Sequence, residues 1–311
     1  MNKTQPEQDK PQGAPRKIRI GPAGWSYKDW NGIVYPETPG KKFDPLAYLA
    51  NYFDTIEINS SFYRPPTANT TRSWARRVES NPEFVFTAKL HRVFTHERGK
   101  ATGEDERLFR EGIQPLANAG KLGTLLIQFP WSFKNNDDER LYLFKLIDKF
   151  KDYPLVLEVR HSSWNTPPIH ERLVEAGVGI CNIDQPLFSK SIHPAAISTS
   201  PVGYIRLHGR NYQNWFREKA PRDERYNYLY SLDELEPWIA RIKDVAEETK
   251  ETYVITNNHF RGKAVVNGLE LKSILEGQPV AAPALLLTEY PRLSELVELY
   301  ETRDSKERKL F

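Results

Sequence analysis

The chain has 311 residues, 39% apolar and 12% aromatic, enough to build a large core rich in Phe, Tyr and Trp. Its 44 basic and 41 acidic residues leave a net charge of +3, too balanced to argue for a nucleic-acid partner on charge alone. The single cysteine, Cys181, excludes a disulfide framework and a cysteine metal cluster, and apolar runs such as Leu285-Leu286-Leu287 are far too short to span a bilayer.

Residues 1–16 are rich in Pro, Gln and charge and have no apolar segment, so they read as a disordered tail and not a signal peptide. A soluble, cytoplasmic protein is expected. The first strand is predicted at Ile18–Gly21, followed by a loop, G-P-A-G-W-S-Y-K-D-W, whose glycines match neither a dinucleotide fingerprint nor a P-loop. Further along, the pattern predicts a helix over Pro45–Tyr52, a strand at Thr55–Asn59, a helix over Thr70–Glu79 and a strand at Phe84–Lys89. It continues with a helix over Asp105–Ala119, a strand at Thr124–Gln128, a helix over Asp138–Phe150 and a strand at Leu155–Arg160. A helix over Ile169–Ala176 and a strand at Ile180–Asp184 lead into an irregular run, Gln185–Ser200. The last predicted elements are a strand at Tyr204–His208, a helix over Leu232–Glu248 with Ser231 as N-cap and Glu234 three residues on, a strand at Tyr253–Asn257, and a helix over Gly262–Leu275. Eight strands alternating with helices predict an α/β fold, a single (β/α)8 TIM-type barrel over residues 17–300, with a polar tail at 301–311.

Side chains alternate faces along a strand, so the polar positions share one side of most of these segments. Glu57 and Asn59 oppose Ile56 and Ile58, Glu158 and Arg160 oppose Leu157 and Val159, and Arg206 and His208 oppose Ile205 and Leu207. By the same rule Asn182 and Asp184 are expected to point into the barrel, and Cys181 outward toward the helices as a core residue. The polar faces are expected inside, converging at the C-terminal mouth where barrel enzymes build their sites.

Several stretches also resemble the YecE-like family, or domain of unknown function 72. They are G-P-A-G-W-S-Y-K-D-W (21–30), E-I-N-S-S-F-Y-R-P-P (57–66), F-V-F-T-A-K (84–89), K-L-G-T-L-L-I-Q-F-P (121–130), L-E-V-R-H-S-S-W (157–164), Y-I-R-L-H-G-R (204–210) and V-I-T-N-N-H (254–259). The resemblance covers about residues 18–275 in the family's order and implies a TIM-type barrel, but no reaction. Pro22-Ala23 departs from the family's more usual Thr-Ser.

Four constellations compete for the mouth. Glu57, Glu158 and Asp184 supply carboxylates and His208 an imidazole, which gives candidate acid–base catalysts for a hydrolase, lyase or isomerase, and a glycosidase-like pair among them. The same residues offer mixed O/N ligands for a divalent metal, but Arg160 and Arg206 would oppose a cation there; no cofactor or metal ligand is assigned. Lys89, Arg160, Arg206, Arg210 and Arg64 outnumber the three acids, and this favours a small phosphate- or carboxylate-bearing ligand. Trp25, Tyr27, Tyr63 and Trp164 could stack on it, with Asn59, Gln128 and Asn257 as polar contacts. A nucleic-acid or metal-dependent nuclease-like barrel is the alternative, a non-catalytic ligand-binding regulator the second; no membrane partner is expected, and the oligomeric state stays open.

Overall fold

The computed structural model describes residues 17–215, 217 and 222–299; both segments expected as tails lie outside them. Among the described residues eight parallel strands form one sheet: β1 (Lys17–Pro22), β2 (Thr55–Ile58), β3 (Val85–Lys89), β4 (Leu122–Gln128), β5 (Leu155–Glu158), β6 (Gly179–Asp184), β7 (Val202–Leu207) and β8 (Glu251–Thr256). Hydrogen bonding runs β1-β8-β7-β6-β5-β4-β3-β2, and an isolated parallel bridge between Ala23 and Glu57 brings the first and last members together. The sheet is therefore a nearly closed α/β barrel.

The helices follow the expected order: α1 (Pro45–Leu49), α2 (Ser60–Tyr63), α3 (Ala68–Arg77), α4 (Gly103–Asn118), α5 (Asp137–Phe150), α6 (Pro167–Glu175), α7 (Leu232–Glu248) and α8 (Lys263–Glu276). Short polar side chains start them. Asp44 accepts from the amides of Leu46 and Ala47 at α1, and Thr102 with Asp105 and Ser231 with Glu234 form reciprocal capping boxes at α4 and α7. Leu235, Trp238, Ile242 and Val245 of α7 are buried against Ile205, Leu207 and Val254 of the wall. Helix α2 and a C-terminal addition, α9 (Ala284–Glu289) with the parallel pair β9 (Val280–Ala282) and β10 (Val297–Leu299), are outside the sequence expectation.

No helix is described between β6 and β7, and this corrects the expected facing of β6. Register pairs Cys181 with Tyr204 and Ile183 with Arg206, and partners in a parallel ladder share a face. Cys181 and Ile183 therefore point inward, and Cys181 Sγ lies 4.0 Å from Glu158 Oε2. Asn182 and Asp184 point outward. The irregular run takes the place of an apolar helix and binds Asn182 with the backbone N–H and C=O of Ile197, both at 2.9 Å. Polarity misled the alternation because the outward residues are satisfied there, Asn182 by the Ile197 backbone and Asp184 by Arg210 and Tyr230.

Close approach at the β1–β2 seam requires a glycine. A Cβ on Gly21 would lie 1.7 Å from the carbonyl oxygen of Thr55, a backbone atom that cannot step aside. Gly21→Ala should cost about 1–3 kcal/mol by overpacking the seam. Gly103→Ala, where a Cβ meets nothing within 4 Å, is the neutral control; urea denaturation of both variants checks the difference.

Candidate functional site

Inside the barrel a chain of charges crosses from β2 to β5. Arg206 of β7 donates through Nη2 to Glu57 Oε1 at 2.7 Å and through Nη1 to Glu158 Oε2 at 2.5 Å. Tyr204 donates to the second oxygen of Glu57 at 2.9 Å, and its own oxygen sits 2.7 Å from Thr87 Oγ1. All of these side chains are at most 1% exposed. Arg160, just past β5, pairs with Glu158 Oε1 at 2.6 Å and with Gln185 Oε1 at 2.8 Å. Burial alone would raise the Glu158 carboxyl, but Arg160 and then Arg206 hold it well below the usual carboxylate range.

His208 lies under Arg160. Its Nε2 is 3.1 Å from Arg160 Nη2 and 3.4 Å from Glu158 Oε1, and its Nδ1 is 2.9 Å from Asn257 Nδ2. Burial, then the Arg160 charge, pushes the imidazole well below its ordinary value, so it is neutral at neutral pH. Above this layer, Lys89 at the end of β3 reaches Gln128 Oε1 at 3.0 Å and lies 4.3 Å over the Phe62 ring. Burial and the neighbouring Arg206 charge lower its ammonium to about 7.

Two adjoining cavities open here. The inner one, about 170 Å³, is lined by residues that include Tyr27, Asn59, Arg206, Asn257 and His259. The outer one, about 410 Å³, adds Arg92, His96, Trp131, Gln185, Trp215 and Arg225. Tyr63, Lys89, Gln128, Arg160 and Tyr226 line both. Tyr27 stacks on His259 at 4.4 Å, and Arg160 lies 5.7 Å over Trp215. His96 is lowered to about 4 by burial and then by Lys89, so it adds no charge. Arg160 Nε, Arg206 Nε and Gln185 Nε2 are buried donors without a hydrogen-bond partner among the described residues.

The structure thus brings Tyr27, Asn59, Tyr63, Lys89, Gln128, Arg160, Arg206 and Asn257 to the cavity walls. Glu57, Glu158 and His208 sit fully buried, outside the lining set. Asp184 is placed on the outer side of the wall, where Arg210 Nε donates to it at 2.9 Å and Tyr230 also binds it; the expected placement at the mouth is corrected for both Asp184 and Arg210. Arg64 is solvent-exposed and outside the lining. Trp25 packs edge-on against Trp74 at 5.2 Å, and Trp164 is buried in a stack on Phe133 at 4.7 Å, so both rings belong to the packing of the loops. Arg92 and Arg225 line the outer cavity where Arg64 and Arg210 were expected, and Arg92 is paired with Glu97 at 2.7 Å. Arg92, Trp131, Arg225 and Tyr226 stand in loops where no strand alternation applies. Their signal was only their type: aromatic and basic residues shortly after β3 and β4, and far along the connection that follows β7.

Among the described residues, no group of three or more His, Cys, Asp or Glu side chains is placed to hold a metal ion, and no helix is long and apolar enough to cross a membrane.

An α/β barrel with a cation- and aromatic-lined cavity at the C-terminal ends of its strands is the class that fold and site define. The chain belongs to the family described as "Protein of unknown function DUF72", which matches residues 19–289. It is 29% identical over 274 residues to the UPF0759 protein YunF of Bacillus subtilis, covering 83% of this chain and 95% of that one. Two solved DUF72 family structures are similar to it. One, from Thermotoga maritima, has 34% identity and a TM-score of 0.73 and covers 84% of this chain and 99% of its own. The other, from Enterococcus faecalis, has 26% identity and a TM-score of 0.72, with 83% and 95% covered.

Breaking the buried chain should be costly. Glu158→Gln leaves Arg160 and Arg206 facing a neutral amide, and a loss of about 3–5 kcal/mol is expected by urea denaturation. Because the folded pKa of Glu158 is depressed, its stabilisation is full above the unfolded value and disappears as pH falls through the folded one. Denaturation series at falling pH should therefore show the wild type and variant converging below about pH 4.

Proposed function

We propose that the barrel mouth binds a small ligand carrying a phosphate or carboxylate group. One observation carries this reading: the described residues lining the two cavities include Lys89, Arg92, Arg160, Arg206 and Arg225, and neither Asp nor Glu. The nearby carboxylates are already engaged, Glu57 by Arg206, Glu158 by Arg206 and Arg160, and Glu97 by Arg92 at the outer edge. The unpartnered donors on Arg160, Arg206 and Gln185 call for an acceptor, and guanidinium forks suit planar or tetrahedral oxyanions. Tyr63, Trp131, Trp215 and Tyr226 offer faces for a ring or sugar beside the anion.

The enclosed volume suits a small molecule better than a duplex. A divalent metal on Glu57 and Glu158 would face Arg206 and Arg160 at contact distance, which disfavours it. The buried acids and His208 act in this reading by holding the arginines in place. The lysine that reaches the ligand is Lys89.

Inorganic phosphate should quench the fluorescence of the cavity tryptophans and raise the melting temperature at low salt. Arg160→Gln should weaken binding about tenfold or more, the loss of one charge-assisted hydrogen bond. Affinity for sulfate, whose charge is constant over this range, should also fall several-fold between about pH 6 and pH 8, because Lys89 gives up its charge through about 7. No response to phosphate, sulfate or a small dicarboxylate at low salt overturns the reading.

A further inference from the structure

We propose that Lys89 is a covalent nucleophile, forming an imine with a small anionic aldehyde or ketone held at the barrel mouth. The anionic half of that substrate class rests on the reading above; the nucleophile rests on the placement of the amine.

Lys89 lies where the inner and outer cavities meet, and it is the lysine among their described lining residues. It makes no ion pair among the described residues: its hydrogen bond goes to the amide oxygen of Gln128, and the Phe62 ring covers its side. An amine that only bound anions would be better served as a full cation. Here the two nearest carboxylates are taken by Arg206 and Arg160, and these same arginines bear on the lysine as like charges. The ammonium is brought to about 7, so a substantial fraction is free amine at neutral pH, as imine chemistry requires. Arg160 at the same cavity can take the substrate's anionic group and leave its carbonyl carbon beside Nζ.

In this step the nitrogen lone pair attacks the carbonyl carbon, a C–N bond forms, and the π electrons move to oxygen. That oxygen takes up a proton, and the nitrogen gives one up to solvent in the open cavity. A second proton from solvent converts the carbinolamine hydroxyl to water, which leaves as the nitrogen lone pair forms the C=N bond, and the resulting iminium gives its remaining N–H proton back to solvent. Amine and carbonyl become imine and water, with no oxidant or reductant required.

Trapping tests this directly on the full chain. The protein is incubated with pyruvate or dihydroxyacetone phosphate, reduced with sodium borohydride, digested and mapped by mass. The expected result is an adduct on the Lys89 peptide at least about tenfold above exposed lysines such as Lys28 and Lys42, saturable in probe, increasing from about pH 6 to pH 8, and absent in Lys89→Arg. Labelling at Lys89 no greater than at those surface lysines, with both probes, overturns the proposal. The two readings separate in the same experiment. Phosphate quenching without trapping at Lys89 removes the nucleophile and leaves the anion site. Trapping that phosphate neither blocks nor accompanies with quenching keeps the nucleophile and removes the anion site.

Discussion

The Glu57–Arg206–Glu158 chain is the constraint on which the rest of the barrel depends. Charges taken out of water cost several kcal/mol each unless their partners and geometry are close to ideal. Here each carboxylate meets a guanidinium at 2.5–2.7 Å. Tyr204 and Thr87 extend the satisfaction downward from Glu57. The strands carrying these groups lie on different sides of the barrel, so the chain works only if the sheet curls round. A fully apolar interior would be less demanding to build. What the charges add is a fixed position for Arg206 and Arg160, with unused donors left over.

That fixation also decides the sign of the cavity. Two acids and two arginines cancel beneath the floor, and Glu57 and Glu158 do not reach the walls. Above them stand Lys89, Arg225 and Arg92, the last paired with Glu97 at 2.7 Å. His96 and His208, which a sequence would count as titratable near neutrality, are both held neutral by burial and neighbouring cations. The field at the mouth is set by placement, since the whole chain carries only +3.

Much of this was legible in the residues. Glu57, Lys89, Glu158, Arg206 and Asn257 follow strict alternation in strands whose outer face is mostly apolar, such as Ile56 and Ile58, Phe86 and Ala88, or Ile205 and Leu207. Alternation misread β6 because a polar residue can be satisfied on either face, and only pairing with β7 shows that Cys181 and Ile183 face inward. The aromatic loop after β1 divides for a similar reason. Trp25, Tyr27 and Trp30 stand within six residues. Yet Trp30 is fully buried with its Nε1 bonded to the carbonyl of His259, Trp25 packs on Trp74, and only Tyr27 lines a cavity. Nothing local separates a ring that roofs a barrel from one that lines its mouth; the distinction depends on partners more than forty residues away.

Lys89 shows the site and the stabilising network to be one object. Its charge is depressed by burial and by arginines whose positions are fixed by Glu57 and Glu158. Remove an acid, and an arginine is freed to move and the field on the lysine changes with it. Stability and the charge of Lys89 are therefore coupled, and substitutions in the buried layer should not behave additively with those on the cavity wall. A barrel that kept its arginines loose would not hold an amine beside them in a fixed, partly neutral state. The rigid charge chain under the floor makes a lysine at this position more than another cation.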